Sequence, residues 1–256
     1  MDVKSIVDQK VFWLLFMAAE FSMVAAVPYA VSISGEAIYD FGVSLPMLLA
    51  TQFARGTGFL IISILTGIFL GKRVGLRTPV LESLFRGRGL PAGFYSSLKL
   101  SMLLGIVAGT SIFAFDRFVF SAFGEPFTVL LSSPPLWQRF LYSFYAGIVE
   151  EIVLRFFLVT LLVWISWKIK RTPENLPTDA GVWLSILVVS TIYSVGHISR
   201  LSSSVDSNPM PILGIVLLSL VTGCIFGWLY WKKGLESSII ANLAATLTLL
   251  VVLGSL

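Results

Sequence analysis

Long apolar runs separated by short polar or charged segments form the dominant pattern of this chain. A run of about 20 apolar residues is long enough to cross the hydrocarbon core of a bilayer as an α-helix. Such runs fall at approximately 11–33, 45–70, 100–119, 139–167, 181–198, 211–231 and 236–255. We therefore predict an all-α, polytopic transmembrane helical bundle with seven spans.

One further stretch, residues 118–134, leaves the number of spans open. It contains several Phe, Val and Leu residues but is interrupted by Gly124, Glu125, Pro126 and Pro134. A proline inside a helix removes a backbone hydrogen bond and clashes with the preceding turn. The stretch is interpreted as a surface segment, a re-entrant piece or a short eighth helix, so the predicted bundle has seven or eight spans.

Composition indicates a membrane protein with a single domain. The chain has 256 residues, of which 56% are hydrophobic and 12% charged, whereas soluble domains have about 25% charged residues. No Pro/Ser-rich linker or block of charge divides it, so residues 1–256 are predicted to form one integral-membrane domain. The net charge of +4 indicates no nucleic-acid partner. No convincing internal repeat is visible, which argues against an inverted-repeat transporter.

The distribution of lysine and arginine predicts the orientation in the membrane, because cytoplasmic loops are enriched in these residues. With seven spans, the basic loops 71–99, 168–180 and 232–235 fall on the same side as the N-terminus. The opposite side keeps fewer basic residues. We therefore predict an integral protein of the cell membrane with a cytoplasmic N-terminus. An eighth crossing would reverse the C-terminal half.

Ionisable residues inside apolar runs are the candidate functional groups. A charge near the centre of a bilayer costs at least about 2.5–3.5 kcal/mol on insertion scales, so such a residue is by default a functional hypothesis. Glu20 in the first run and Arg55 in the second are interpreted as an interhelical ion pair, since buried charges persist mainly when paired. The alternative is a direct role in binding substrate.

The fourth run contains the strongest signal, the sequence Glu150-Glu151-Ile152-Val153-Leu154-Arg155. Glu151 and Arg155 have the i,i+4 spacing and order that favour an ion pair on one helix face. Glu150 points about 100° away from that face. It is therefore the candidate general base, while Arg155 holds Glu151 ionised. The alternative is a purely structural Glu–Arg clamp between helices.

Three polar groups on later runs complete the candidate site. His197, the only histidine of the chain, follows Tyr193 by one helical turn near the end of the fifth run. Asn242 and Thr246 have i,i+4 spacing in the seventh run. Each alone is typical of a buried residue or of the interhelical hydrogen bonds that Ser, Thr and Asn form in membranes.

Taken together and in this order, these motifs resemble the CAAX-protease and bacteriocin-processing family of intramembrane proteases, which includes the type II CAAX prenyl endopeptidases. The motifs are Glu-Glu-x-x-x-Arg at 150–155, Tyr-x-x-x-His at 193–197 and Asn-x-x-x-Thr at 242–246. The family-like catalytic half covers about 139–256. The resemblance implies a catalytic set of Glu150, Glu151 and His197, in which Glu150 activates the attacking water with His197. Glu151 is anchored by Arg155, and Arg155 and Tyr193 are the supporting residues.

The third motif departs from the family pattern, which normally begins with a second histidine. Here that position is Asn242, followed by Thr246. A zinc site needs about three protein ligands, so a chain with one histidine and one remote cysteine favours a metal-free, cofactor-free reaction. Asn242 and Thr246 are then the candidate donors to the transition state.

The predicted function is therefore that of an intramembrane endopeptidase. It would hydrolyse a membrane-associated peptide or lipidated protein, such as a prenylated one, with water activated by glutamate and histidine. One alternative is a catalytically impaired member of the family that acts as a binding or immunity protein in the membrane, which the Asn242 departure favours. A proton-coupled transporter that titrates Glu150 and Glu151 is the third hypothesis.

Overall fold

The computed structural model describes residues 3–34, 44–119, 122, 131–201 and 209–255. The side chains of residues 3, 4, 34, 197–201, 209–212 and 215 lie outside this description. Within the described ranges the chain is helical and has no strand, apart from an isolated bridge between Arg171 and Pro177. The predicted all-α class is confirmed.

The described chain contains one short helix and seven long ones. In chain order they are α1 (Val3–Ser34), α2 (Leu45–Val74), α3 (Pro79–Phe85), α4 (Phe94–Phe118), α5 (136–169), α6 (Asp179–Leu201), α7 (Pro209–Lys233) and α8 (Leu235–Ser255). Six of the seven apolar runs lie within a long helix, and the run 100–119 extends one residue beyond the end of α4. The short α3 was not predicted from the sequence, since its apolar segment is far below the length of a span.

Five of these helices are long and apolar enough to cross a membrane within the described residues. The five segments are Ser5–Ile33, Leu45–Val74, Phe94–Phe118, Asp179–Gly196 and Leu235–Ser255. The total of seven or eight spans therefore stays a prediction. Most of the stretch 118–134, proposed as an eighth crossing, lies outside the described residues.

Glycine allows α4 and α8 to pack with their backbones in close contact. A Cβ atom added at Gly105 would lie 2.2 Å from the carbonyl oxygen of Ala241, and one at Gly109 would lie 2.4 Å from that of Ala245. Gly105 and Gly109 have the small-xxx-small spacing that membrane helices use to approach each other. This contact fixes α8, the helix that carries Asn242, against the bundle.

The first turns of α5 are anchored by buried polar contacts. The Arg139 guanidinium donates from Nη1 to the carbonyl oxygens of Leu250, at 2.7 Å, and Gly254, at 2.8 Å. It thereby donates to carbonyl oxygens in the last turns of α8, the end of the helix where intrahelical donors run out. The Tyr142 ring stacks on Tyr29 of α1 with 4.3 Å between centroids. Arg139 is thus a buried side chain that caps the end of α8.

The short helix α3 closes one end of the bundle. The backbone N–H of Leu235 donates to the Arg77 carbonyl oxygen at 3.2 Å. The Glu236 carboxylate accepts from the N–H of Leu81 at 2.9 Å, which satisfies a free donor in the first turn of α3. These contacts tie the turn between α7 and α8 to the segment that follows α2.

Candidate active site

The two adjacent glutamates lie where α5 departs from regular α-helical geometry. Two π-helical stretches, Tyr145–Glu150 and Ile152–Val159, flank Glu151. π-helical turns are rare and often occur at functional sites. Both carboxylates are buried, with 7% of Glu150 and none of Glu151 exposed. Although adjacent in sequence, the two side chains have different partners.

Glu151 lies in a buried polar cluster, which comprises Glu151, Arg155, Ser238 and Asn242. Arg155 Nη1 is 2.9 Å from Glu151 Oε1, so the structure contains the i,i+4 pair expected from the sequence. Asn242 Nδ2 donates to the same oxygen at 2.8 Å, and the Ser238 hydroxyl donates to Oε2. Both oxygens of this buried carboxylate therefore accept hydrogen bonds or ionic contacts.

The cluster forms because small residues bring α5, α7 and α8 together. A Cβ at Gly147 would lie 2.9 Å from the Cβ of Leu243, so α5 approaches α8 more closely than any larger residue would permit. Arg155 Nη2 donates to the carbonyl oxygen of Gly223 on α7 at 3.3 Å. The guanidinium thus links α5 to α7 while it neutralises Glu151.

Asn242 and Thr246 form a short relay that ends at Glu151. The Thr246 hydroxyl is 3.4 Å from Asn242 Oδ1, its acceptor. The amide nitrogen of Asn242 donates to Ala146 O at 2.9 Å and to Glu151 at 2.8 Å. An amide nitrogen has two donor hydrogens, and these two contacts use both of them. The structure therefore places Asn242 next to Glu151 on the buried side of α5.

Glu150 instead lies on the wall of a cavity of about 730 Å³ between α1, α2, α5 and α6. The Tyr193 hydroxyl donates to Glu150 Oε2 at 2.8 Å. The Tyr193 ring centroid is 5.8 Å from the Arg155 guanidinium carbon, so Tyr193 lies beside both the cavity and the buried polar cluster. Most of the remaining wall is aromatic or aliphatic, including Tyr142 and Phe59.

His197 is placed in α6, one turn beyond Tyr193. Its side chain lies outside the described residues, so its expected proximity to Glu150 stays a prediction. Because Tyr193 contacts Glu150 directly, the helix that carries His197 does pass the cavity.

The expected ion pair between Glu20 and Arg55 is wrong for the described residues. Among the described residues, ion pairs join Lys72 to Asp8, Arg86 to Glu82 and Arg155 to Glu151, and none joins Glu20 to Arg55. Glu20 Oε1 is buried and has no hydrogen-bond partner. Arg55 is exposed on α2 and lines the same cavity as Glu150. Pairing was inferred from the cost of isolated charges, but the fold places Arg55 at a cavity.

Sequence reasoning missed Ser238, which donates to Glu151 and is fully buried. A signal was present, because Ser238 precedes Asn242 by four residues and so lies on the same face of α8. Serine is too common in such helices for spacing alone to select it. Gly147 and Gly223 were missed for a different reason, since only the packed bundle reveals close backbone approach.

Comparison with known proteins gives one family. Residues 132–248 match the model described as type II CAAX prenyl endopeptidase Rce1-like. No curated protein and no solved structure matches the chain. The matched segment contains Glu150, Glu151 and Arg155 as well as Tyr193, His197, Asn242 and Thr246. The family match and the five apolar helices together indicate an integral membrane protein. Over residues 132–248 the chain is therefore similar to the Rce1-like family, the resemblance that its three motifs indicated.

Proposed function

We propose that this protein is an intramembrane endopeptidase that hydrolyses a membrane-associated, prenylated peptide. The observation that carries the proposal is a buried carboxylate, Glu150, on the wall of a cavity of about 730 Å³. Cavities of that size enclose drug-sized ligands, so a short peptide segment fits but a folded domain does not. The Rce1-like match of residues 132–248 supports peptide hydrolysis as the chemistry.

In the proposed mechanism Glu150 is the general base. It removes a proton from a water molecule while the water oxygen bonds to the scissile carbonyl carbon. When the tetrahedral intermediate collapses, the C–N bond breaks and the leaving amine receives that proton. His197 assists activation of the water, and the Tyr193 hydroxyl donates to Oε2 of Glu150, which orients the carboxylate.

Glu151 has a supporting role in this proposal. Arg155, Asn242 and Ser238 contact its two oxygens, so the carboxylate is poorly placed to bind a metal as well. That arrangement supports a metal-free reaction. The assignment of Asn242 and Thr246 as transition-state donors stays a prediction. Because both amide hydrogens of Asn242 contact Glu151 and Ala146, the contacts favour a positioning role for this residue.

A cleavage assay with purified protein tests the function. A reporter peptide with a C-terminal prenyl-cysteine motif is incubated with the protein in lipid nanodiscs, and mass spectrometry identifies the products. We expect wild-type protein to cleave the peptide, and Glu150→Gln or His197→Ala to abolish cleavage without altering thermal unfolding. Full activity of Glu150→Gln would refute the mechanism, and loss of activity on adding a chelator would refute its metal-free form.

The alternative is a non-catalytic relative that binds such a peptide. The occupied donors of Asn242, at the position where the family normally has histidine, favour this reading. Binding of the reporter without any product, by wild-type protein that unfolds cooperatively, would support it.

The proposed orientation places the N-terminus in the cytoplasm. Arg77, Lys232 and Lys233 line one common cavity at the end of the bundle closed by α3, which supports a single basic side. Labelling of single cysteines at positions 173 and 203 in intact cells, in a chain lacking Cys224, tests it. We expect an impermeant maleimide to label position 203 and not position 173, and the reverse pattern would overturn the orientation.

A further inference from the structure

Arg55 is a charged residue in an apolar helix with no described acidic partner. It lies ten residues after the start of α2 at Leu45, within a segment long and apolar enough to span a membrane. No ion pair among the described residues includes it. A lone charge at such a depth is costly and usually faces a cavity or a functional partner.

The charged groups that line the cavity are few. Of the described residues on its wall, Glu150 and Arg55 are the two that carry charge, and the others are apolar, aromatic or neutral polar. Gln52, three residues before Arg55 and so on the same face of α2, also lines the cavity. The cavity therefore offers one guanidinium and one amide on α2, and one carboxylate on α5.

This distribution suits a ligand that is mostly apolar and carries one negative charge. Guanidinium groups bind carboxylates through paired, charge-assisted hydrogen bonds. An apolar and aromatic wall can contact many different side chains, so it does not select one peptide sequence. The anion that suits this cavity best is therefore one that does not depend on peptide sequence. The α-carboxylate of a chain that ends inside the cavity is such a group.

We propose that Arg55, assisted by Gln52, binds the free C-terminal carboxylate of the peptide substrate. The inference rests on the proposed function and assigns to one residue of this chain, Arg55, the recognition of the substrate's terminal carboxylate. Arg55 then selects the end of a chain, while Glu150 acts on a bond within reach of the same cavity.

Two peptides that differ only at the C-terminus test this inference. One is a prenylated reporter with a free acid, and the other is its C-terminal amide. Both are assayed for binding and for kcat/KM with wild-type protein, Arg55→Gln and Arg55→Lys. Arg73→Gln is the matched control, because Arg73 lies in the last turn of the same helix, is exposed and does not line the cavity.

A charge-assisted hydrogen bond predicts that wild-type protein prefers the acid by about ten- to a hundred-fold. Arg55→Gln should reduce the acid-to-amide ratio to about one, Arg55→Lys should restore part of it, and Arg73→Gln should keep the wild-type ratio. The inference is overturned if wild-type protein binds and cleaves the two peptides equally well. It is also overturned if Arg55→Gln weakens binding and cleavage of both peptides by the same factor. If neither peptide is cleaved, the proposed function fails, and the binding preference alone then upholds or overturns the role of Arg55.

Discussion

Glu150 and Glu151 are adjacent in sequence but occupy two different regions of the molecule. Glu151 is fully buried in the polar cluster, where Arg155, Ser238 and Asn242 contact its oxygens. Glu150 lies on the wall of a large cavity, with the Tyr193 hydroxyl on one oxygen. One carboxylate thus belongs to the packed interior and the other to a space that a ligand can enter.

In the proposed mechanism this difference gives Glu151 a structural role and Glu150 a chemical one. A buried ion pair whose carboxylate also accepts hydrogen bonds from α8 holds helices in place, and removal of one partner is strongly destabilising. A carboxylate beside a cavity contributes less to packing and is accessible to a substrate. The comparison predicts that variants in the polar cluster change stability, whereas variants at the cavity wall change catalysis.

Loss of Arg155 should have the largest effect on stability. Arg155→Met leaves the Glu151 carboxylate buried and without its cation, which typically costs about 3–5 kcal/mol. The free energy of unfolding in detergent, from denaturant titration, measures the change. The double variant Glu151→Gln/Arg155→Met should recover much of the loss, because it removes both charges.

The pair of Glu82 and Arg86 provides a matched control for this experiment. It has the same i,i+4 spacing, with 3.6 Å between the charged atoms, but both side chains are partly exposed. Arg86→Met should therefore cost only about 0–1 kcal/mol. Equal effects of Arg155→Met and Arg86→Met would contradict the structural role of the buried cluster.

Asn242→Ala should have an intermediate effect that separates positioning from direct catalysis. The variant leaves acceptors on Glu151 and Ala146 without a donor, and an unsatisfied buried polar group costs about 1–3 kcal/mol. If Asn242 positions Glu151, the unfolding free energy falls by this amount and kcat of the folded protein falls less than about tenfold. A donor to the transition state would instead lower kcat by about 10²–10³.

Thr191→Ala is the control for Asn242→Ala, because the exposed Thr191 hydroxyl donates to the Leu187 carbonyl of its own helix. We expect a change within about 0.5 kcal/mol. If Asn242→Ala changes the unfolding free energy no more than Thr191→Ala does, but lowers kcat strongly, the result would support Asn242 as a transition-state donor.

Tyr193→Phe should have the smallest effect and should act on the other region. It removes the hydroxyl that contacts Glu150 but keeps the ring beside Arg155. A hydrogen bond contributes about 0.5–1.5 kcal/mol net, so kcat/KM should fall about two- to twelvefold with little change in unfolding. A loss confined to stability would place Tyr193 with the polar cluster instead.

Local spacing was sufficient for some of the site and insufficient for the rest. The i,i+4 spacing of Glu151 and Arg155 predicts a contact within one helix, and the structure contains it. Asn242 and Glu151 are 91 residues apart in sequence, and their contact depends on packing of α8 against α5. The prediction of an ion pair between Glu20 and Arg55 was wrong because the cost of burying an isolated charge does not specify which helix faces meet.

The sequence alone determined the all-helical class and the order of the helices, because hydrophobic runs and helix geometry are local properties. It also determined the family resemblance, which rests on three short motifs. Tertiary structure decided that Glu150 faces a cavity while Glu151 does not, that Asn242 serves Glu151, and that Arg55 lines the same cavity as Glu150. These outcomes depend on helix rotation and on close approach at glycines such as Gly147. Both are collective results of packing across the whole bundle, which no single segment encodes.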